Sequence, residues 1–238
     1  MNAVIDAGNT RAKAGVFLGK ELQEKCTFSS LEELKKFLSE NTFDNVLISS
    51  VGISATAIAE SANSKGLCLT LSHILPLPIK IKYATPHTLG VDRIAAVCGA
   101  LDLFPQRDCL VIDAGTCITY EWLDKEANYY GGSISPGLDM RLKAMHTFTA
   151  RLPLVNTNTE VDLVGDSTEH GMQSGAWYGV LAEIEGVIDR YKIKYPEIQV
   201  LVCGGNASLF ENRLKHTIFA APDLVLGGLN RILLHNAD

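Results

Sequence analysis

The sequence predicts an α/β protein made of two similar lobes in tandem. Three observations carry that expectation. The pentapeptide Val-Ile-Asp-Ala-Gly occurs twice, at residues 4–8 and 111–115. Each copy reads as a buried strand, a tight turn and a second strand, followed by helical and further extended segments. Neither a linker nor a low-complexity stretch interrupts the chain, so a seam near residue 108 would divide lobes of 1–108 and 109–238. A chain of 238 residues has room for two modest domains.

In chain order, residues 2–18 hold "AVID", "AGNTR" and "AKAGVFL", two strands close enough to form an antiparallel hairpin. "SLEELKKFLSEN", 30–41, has Ser30 as a cap and Leu31, Leu34, Phe37 and Leu38 on one side, the spacing of an amphipathic helix. "NVLISSVG", 45–52, is a buried-type strand, and "ATAIAESANSKG", 55–66, a helix ending at glycine. Residues 67–89 are short extended pieces broken by Pro76, Pro78 and Pro86. "VDRIAAVCGALDLFP", 91–105, is a helix stopped by proline. "CLVIDAGTCITYEWL", 109–123, repeats strand, turn and strand. Residues 129–153 run from a strand through a glycine-rich turn into a helix, and 167–196 are a long helical stretch. "IQVLVCGGNASLF", 198–210, gives a buried strand, a double glycine and a helix start, and "APDLVLGGLNRILLHN" a last helix.

The totals exclude some functions. Lys and Arg number 21 against 27 Asp and Glu, a net charge of −6, so there is no electrostatic reason to bind nucleic acid or an anionic membrane. A local anion site remains open. "MNAVIDAGNT" lacks the basic start of a signal peptide, and the apolar runs fall short of the roughly 20 residues of a membrane span. The six cysteines are scattered without a C-x-x-C pair, and four sit among aliphatic neighbours as buried thiols do. A reducing, cytoplasmic location is expected.

Asp6 and Asp113 each end a buried strand, where a charge needs a partner. The glycine after each lets backbone N–H groups approach a ligand, and Asn9, Thr10 and Thr116 add hydrogen-bonding side chains. Such a turn suits phosphate oxygens, with the carboxylate near the accompanying cation. One copy alone would be an ordinary hairpin turn. Two copies are what a nucleotide between two lobes requires. Other nucleotide signatures are absent: no Walker spacing and no G-x-G-x-x-G occurs. Gly204 and Gly205, between a strand and a helix, allow close approach to a base or ribose, or simply pack a turn. In "TLGVDRIAA", Asp92 and Arg93 open a helix. They are either a dipole-favoured Asp with a solvated Arg, or a general base with an anion clamp. "GGSISPG", 131–137, admits a substrate or starts a helix.

The ordered set "DAGNTRAK", "YATPHTLGVDR", "DAGT", "GGSISPG", "STEHGMQSG", "CGGNA" and "PDLVLGGL" resembles the type III pantothenate kinases, over nearly the whole chain. The resemblance implies the acetate/sugar kinase–Hsp70–actin (ASKHA) fold, with two ribonuclease-H-like lobes and ATP in the cleft. It implies transfer of the ATP γ-phosphoryl to the primary hydroxyl of pantothenate, the first step toward coenzyme A. By position, Asp6, Ala7, Gly8, Asn9, Thr10, Arg11, Ala12 and Lys13 would form the first phosphate loop. Asp92 would accept the proton, and Tyr83, Gly90, Val91, Asp92 and Arg93 would line the pantothenate site. Asp113 would bind a monovalent cation, K⁺ or NH₄⁺, Thr116 would contact ATP, and Mg²⁺ would accompany the nucleotide. Thr168 would touch pantothenate across the interface of a homodimer. The chain departs from the family pattern at Ala7, where many relatives carry threonine, and at Cys117, where alanine is common. Two alternatives differ in class: another ASKHA kinase acting on a sugar or a carboxylate, and a non-catalytic regulator. A regulator would be expected to lose Asp92, Asp113 or the loop residues, and all are present.

Overall fold

The computed structural model describes residues 1–8, 11–51 and 54–237. Along the chain run β1 (Asn2–Ala7), β2 (Ala12–Leu18), β3 (Glu21–Phe28), α1 (Leu31–Glu40), β4 (Val46–Ser50), α2 (Ala55–Ala59), β5 (Cys68–Thr70), β6 (Lys80–Ile81) and α3 (Val91–Leu103). Then come β7 (Cys109–Ala114), β8 (Cys117–Leu123), β9 (Asn128–Pro136), α4 (Leu138–Phe148), α5 (Thr168–Lys194), β10 (Gln199–Cys203), α6 (Ala207–Phe210), β11 (Phe219–Ala220) and α7 (Leu224–Ala237). The chain forms two compact units, one of Met1–Arg107, Leu123–Gly131 and Asp223–Asp238, the other of Asp108–Trp122 and Gly132–Pro222. The last helix therefore groups with the first unit, whereas a single seam at residue 108 assigns it to the second lobe.

In the first unit a five-stranded sheet runs in the order β3-β2-β1-β4-β5. β1 and β2 are the expected antiparallel hairpin, and β4 joins β1 in parallel. Side chains alternate between the faces of a strand. Ala3, Ile5 and Ala7 of β1 and Val46 and Ile48 of β4 form one core with Leu34 and Leu38 of α1. Asp6, Lys13 and Ser49 consequently belong to the opposite face, where α7 brings Leu226 to the Gly15 position of β2. α3 and α7 cross closely, because a Cβ at Gly228 would stand 1.8 Å from the Ala95 carbonyl oxygen. α1 starts as its sequence says, with the Ser30 side chain accepting from the Glu33 N–H.

Two details of this unit differ from the sequence expectation. β3 is a mostly exposed, polar edge strand that turns only Cys26 and Phe28 to the core. α2 stops at Ala59 because the chain folds back: Phe43 N–H donates to the Asn63 carbonyl (3.0 Å) and Lys65 N–H to the Phe43 carbonyl (2.9 Å). These tertiary bonds override local helix propensity.

A six-stranded sheet runs in the order β11-β10-β7-β8-β9-β6; β11, β10 and β7 belong to the second unit, while β6 and its partners at residues 128 and 129 of β9 belong to the first. β10 pairs with β7 in parallel, placing Cys203 opposite Asp113. Leu110 and Ile112 of β7 and Val200 and Val202 of β10 pack with Trp177, Val180, Ile184 and Ile188 of α5. The glycine-rich stretch expected as a turn is extended strand as far as Pro136. Tyr129, Tyr130 and Ile134 carry strand propensity through it. Among the described residues no helix is long and apolar enough to cross a membrane. All six cysteines are free thiols.

Candidate active site

The first turn is assembled by β1 and β2. Their register sets Asp6 opposite Lys13 and Ala7 opposite Ala12, and Gly8 N–H donates to the Arg11 carbonyl at 3.1 Å. Ala7 and Ala12 are buried and Arg11 is exposed. Asn9 and Thr10, expected to contact phosphate, lie outside the described residues. Burial pushes the Asp6 carboxyl up to about 6. Lys13 pulls it down and the charge of Asp92 pushes it further up, so the two carboxylates feel one another.

Asp92 stands in the first turn of α3, after Gly90 as N-cap and Val91 as first helical residue. Its Oδ1 accepts from the Arg93 backbone N–H at 2.9 Å. A carboxylate here also meets the positive end of the helix dipole. Arg93 is buried at 8% exposure, which removes the reading of a solvated arginine. Its guanidinium carbon lies 5.7 Å from the centroid of the Tyr83 ring, within cation–π range. The ring in turn lies against Gly131, where φ is +87° and a Cβ would come within 2.4 Å of Tyr83 Cδ2. The sequence offered no geometric reason to put Tyr83 beside Arg93; the structure supplies one.

Ser49 was not singled out by its sequence. It is fully buried, in register with Asp6 on β4, and its Oγ has no hydrogen-bond partner among the described residues. The available signal is a polar side chain one residue before the end of an apolar strand, as Asp6 is in β1.

In the second unit, Asp113 is the penultimate residue of β7, beside the end of β10. Gly204 adopts φ +93°, and a Cβ there would fall 2.3 Å from Asp113 Oδ1. Only glycine lets the chain lie so close to that carboxylate, so Gly204 packs the turn, while nothing approaches the Cβ position of Gly205 within 4 Å. Gly115 N–H donates to the Cys117 carbonyl (3.0 Å), and the carbonyl of exposed Thr116 accepts from Gly137 N–H (3.1 Å). Thr168 is the exposed first residue of α5, after Ser167, whose side chain accepts from His170 N–H at 3.2 Å.

The structure thus brings Asp6, Lys13, Tyr83, Gly90, Val91, Asp92 and Arg93 into one unit, and Asp113, Thr116, Gly204, Gly205 and Thr168 into the other. Among the described residues no cluster of three or more His, Cys, Asp or Glu forms a metal cage. Two carboxylates within electrostatic range, a lysine and a buried guanidinium suit proton abstraction beside a polyanion.

A sequence model of the type III pantothenate kinase family matches residues 3–190. The type III pantothenate kinase of Cytophaga hutchinsonii is 46% identical over 240 residues, covering 99% of this chain and 100% of that protein. A solved structure from Campylobacter jejuni, described as a Baf family transcriptional activator, has a TM-score of 0.65 at 23% identity, over 99% of this chain and 98% of that one. A Sinorhizobium meliloti structure, described as a 2-dehydro-3-deoxygalactonokinase protein, has a TM-score of 0.56 at 12% identity over 98% of each chain. At those identities the solved structures speak for the fold alone, and it agrees with the α/β class expected from the sequence. The curated sequence match runs end to end and the family model spans both aspartate turns, so the chain belongs to the type III pantothenate kinase family, the phosphotransferases that phosphorylate pantothenate in coenzyme A biosynthesis.

Proposed function

We propose that this chain moves the γ-phosphoryl of ATP to the primary hydroxyl of pantothenate, with Asp92 as the general base. The observation that carries the reading is the placement of Asp92. Its Oδ1 is pinned by the Arg93 N–H at the start of α3, and its charge is felt at Asp6 on the phosphate turn. Phosphoryl transfer asks for alignment and charge neutralisation more than for covalent help. Asp92 Oδ2 would take the hydroxyl proton as the oxygen attacks phosphorus. Buried Arg93 and the Tyr83 ring would hold the carboxylate and amide end of pantothenate. Lys13 and the turn that follows Asp6 would hold phosphate oxygens.

The residues fit the expected ions. Asp6 is a largely buried carboxylate already raised by burial and by a second carboxylate, a state that a divalent cation relieves. It would hold Mg²⁺ together with the nucleotide phosphates. Asp113, at the second turn, would hold K⁺ or NH₄⁺. When bound, these ions offset the negative charge of the phosphates. Thr116 would contact ATP, with Gly205 leaving room for the nucleoside. The chain would act as a homodimer, Thr168 reaching the partner's site. Free thiols throughout support a cytoplasmic setting.

The test is ADP formation from ATP with and without pantothenate, in potassium and in sodium. Pantothenate-dependent turnover that is faster in potassium is expected. Folded protein that turns over only with a sugar or a carboxylate, or with nothing, would overturn the reading.

A further inference from the structure

We propose that Ser49 is a positioning residue for the nucleotide-bound state, its hydroxyl donating to the Asp6 carboxylate when that carboxylate engages the phosphates and their cation. The inference rests on the kinase reading above. β4 runs parallel to β1, and the register sets Ser49 beside Asp6 as it sets Ile48 beside Ile5. Residues paired across neighbouring strands point to the same face. Lys13 is the partner of Asp6 on the other side. Lys13, Asp6 and Ser49 therefore form one row across three strands, at the carboxyl ends of β1 and β4, the edge where α/β sheets present groups to ligands.

Within this row Asp6 has an attracting neighbour in Lys13 and a repelling one in Asp92. Ser49 adds a neutral donor. It is 0% exposed, and its Oγ has no hydrogen-bond partner among the described residues. A buried hydroxyl without a partner is a net cost, which alanine at this site would avoid. Two other buried oxygens without partners, Gln173 Oε1 and Asn230 Oδ1, belong to amides whose nitrogens are already bonded, to the Asn156 and Gly19 carbonyls. Ser49 has no such second bond to account for it. Turning the Ser49 side chain about its Cα–Cβ bond re-aims the hydroxyl without moving the strand.

Four proteins test this: wild type, Ser49→Ala, and the matched pair Ser49→Thr and Ser49→Val, which add similar bulk and differ in the hydroxyl. We expect Ser49→Ala, without ligand, to melt at or above the wild-type temperature. We expect its kcat/KM for ATP to fall about tenfold, with the KM for pantothenate unmoved. The gain in melting temperature on adding Mg²⁺ and a non-hydrolysable ATP analogue should shrink. Ser49→Thr should recover that gain and the activity relative to Ser49→Val. The proposal is overturned if Ser49→Ala keeps the wild-type kcat/KM and nucleotide-induced shift, if Thr and Val behave alike, or if Ser49→Ala lowers the ligand-free melting temperature in step with activity. The melting arm needs no pantothenate. A wild-type protein that binds nucleotide but does not phosphorylate pantothenate would sink the kinase reading while still deciding the role of Ser49.

Discussion

Asp6 shows how a residue can be costly to the fold and necessary to the site. Its carboxyl is displaced from 3.8 to about 6, chiefly by burial. Between those values the folded chain keeps a proton that the unfolded chain has released. Stability therefore falls as pH rises through this window and stays at the lower level above it. Asp6→Asn should accordingly melt higher than wild type at pH 8, with the difference closing toward pH 4, and should lose turnover at both. Thermal unfolding at the two pH values checks this; a lower melting temperature for Asp6→Asn at pH 8 would mean that Lys13 attraction outweighs burial. Asp92 carries a different expectation. The asparagine is nearly isosteric and its side-chain oxygen still accepts from the Arg93 N–H, so α3 should start unchanged. Asp92→Asn should lose about 100-fold or more in kcat, the usual contribution of a general base, while calorimetry shows ATP bound as before.

At the scale of elements, the site depends on how α3 is seated, and α7 packs directly against its middle. The two helices touch backbone to backbone at Gly228, with no room for a side chain. Gly228→Val should destabilise the chain by about 1–3 kcal/mol, read as a lower urea midpoint, and should also lower kcat because Asp92 and Arg93 ride on α3. The parts of this arrangement differ in how plainly the sequence shows them. The β1–β2 hairpin, the Ser30 cap and the end of α3 are local, written in apolar spacing, a capping residue and a nearby proline, and are legible. β3 is not, because only Cys26 and Phe28 of this exposed edge strand meet the core, too short an alternation to mark a strand. The early end of α2 depends on bonds to Phe43, and the Ser49–Asp6 pairing on the register of two strands distant in sequence. No window of residues contains either. Arg93 was left between solvent and site because helical spacing alone does not say that a helix is covered on nearly every side, as α3 is from Arg93 to Ala100. Tyr83 and Thr168 rested on resemblance; the ring contacts with Arg93 and Gly131 give Tyr83 a geometric place, and Thr168 has none beyond the start of α5.

For the whole molecule, the open matter is whether one chain makes a complete site. The second unit leaves Phe148, Leu163 and Val164 85%, 69% and 80% exposed, large apolar side chains of the kind that a partner surface covers. Thr168 lies shortly after two of them in sequence and is itself exposed. If Thr168 serves the partner's site, two inactive variants should repair each other. Asp92→Asn keeps a good Thr168, and Thr168→Ala keeps a good Asp92. In a mixed dimer, one site combines the intact Asp92 of one chain with the intact Thr168 of the other. Equal mixing at random puts about half of the dimers in the mixed form, each with one good site of two, so activity per chain should return to about a quarter of wild type. The measurement is pantothenate-dependent ADP formation after the variants are mixed, diluted and reconcentrated to exchange subunits. Activity that stays at the average of the two separate variants, with exchange verified by differently tagged chains, would place Thr168 in the service of its own subunit or of neither.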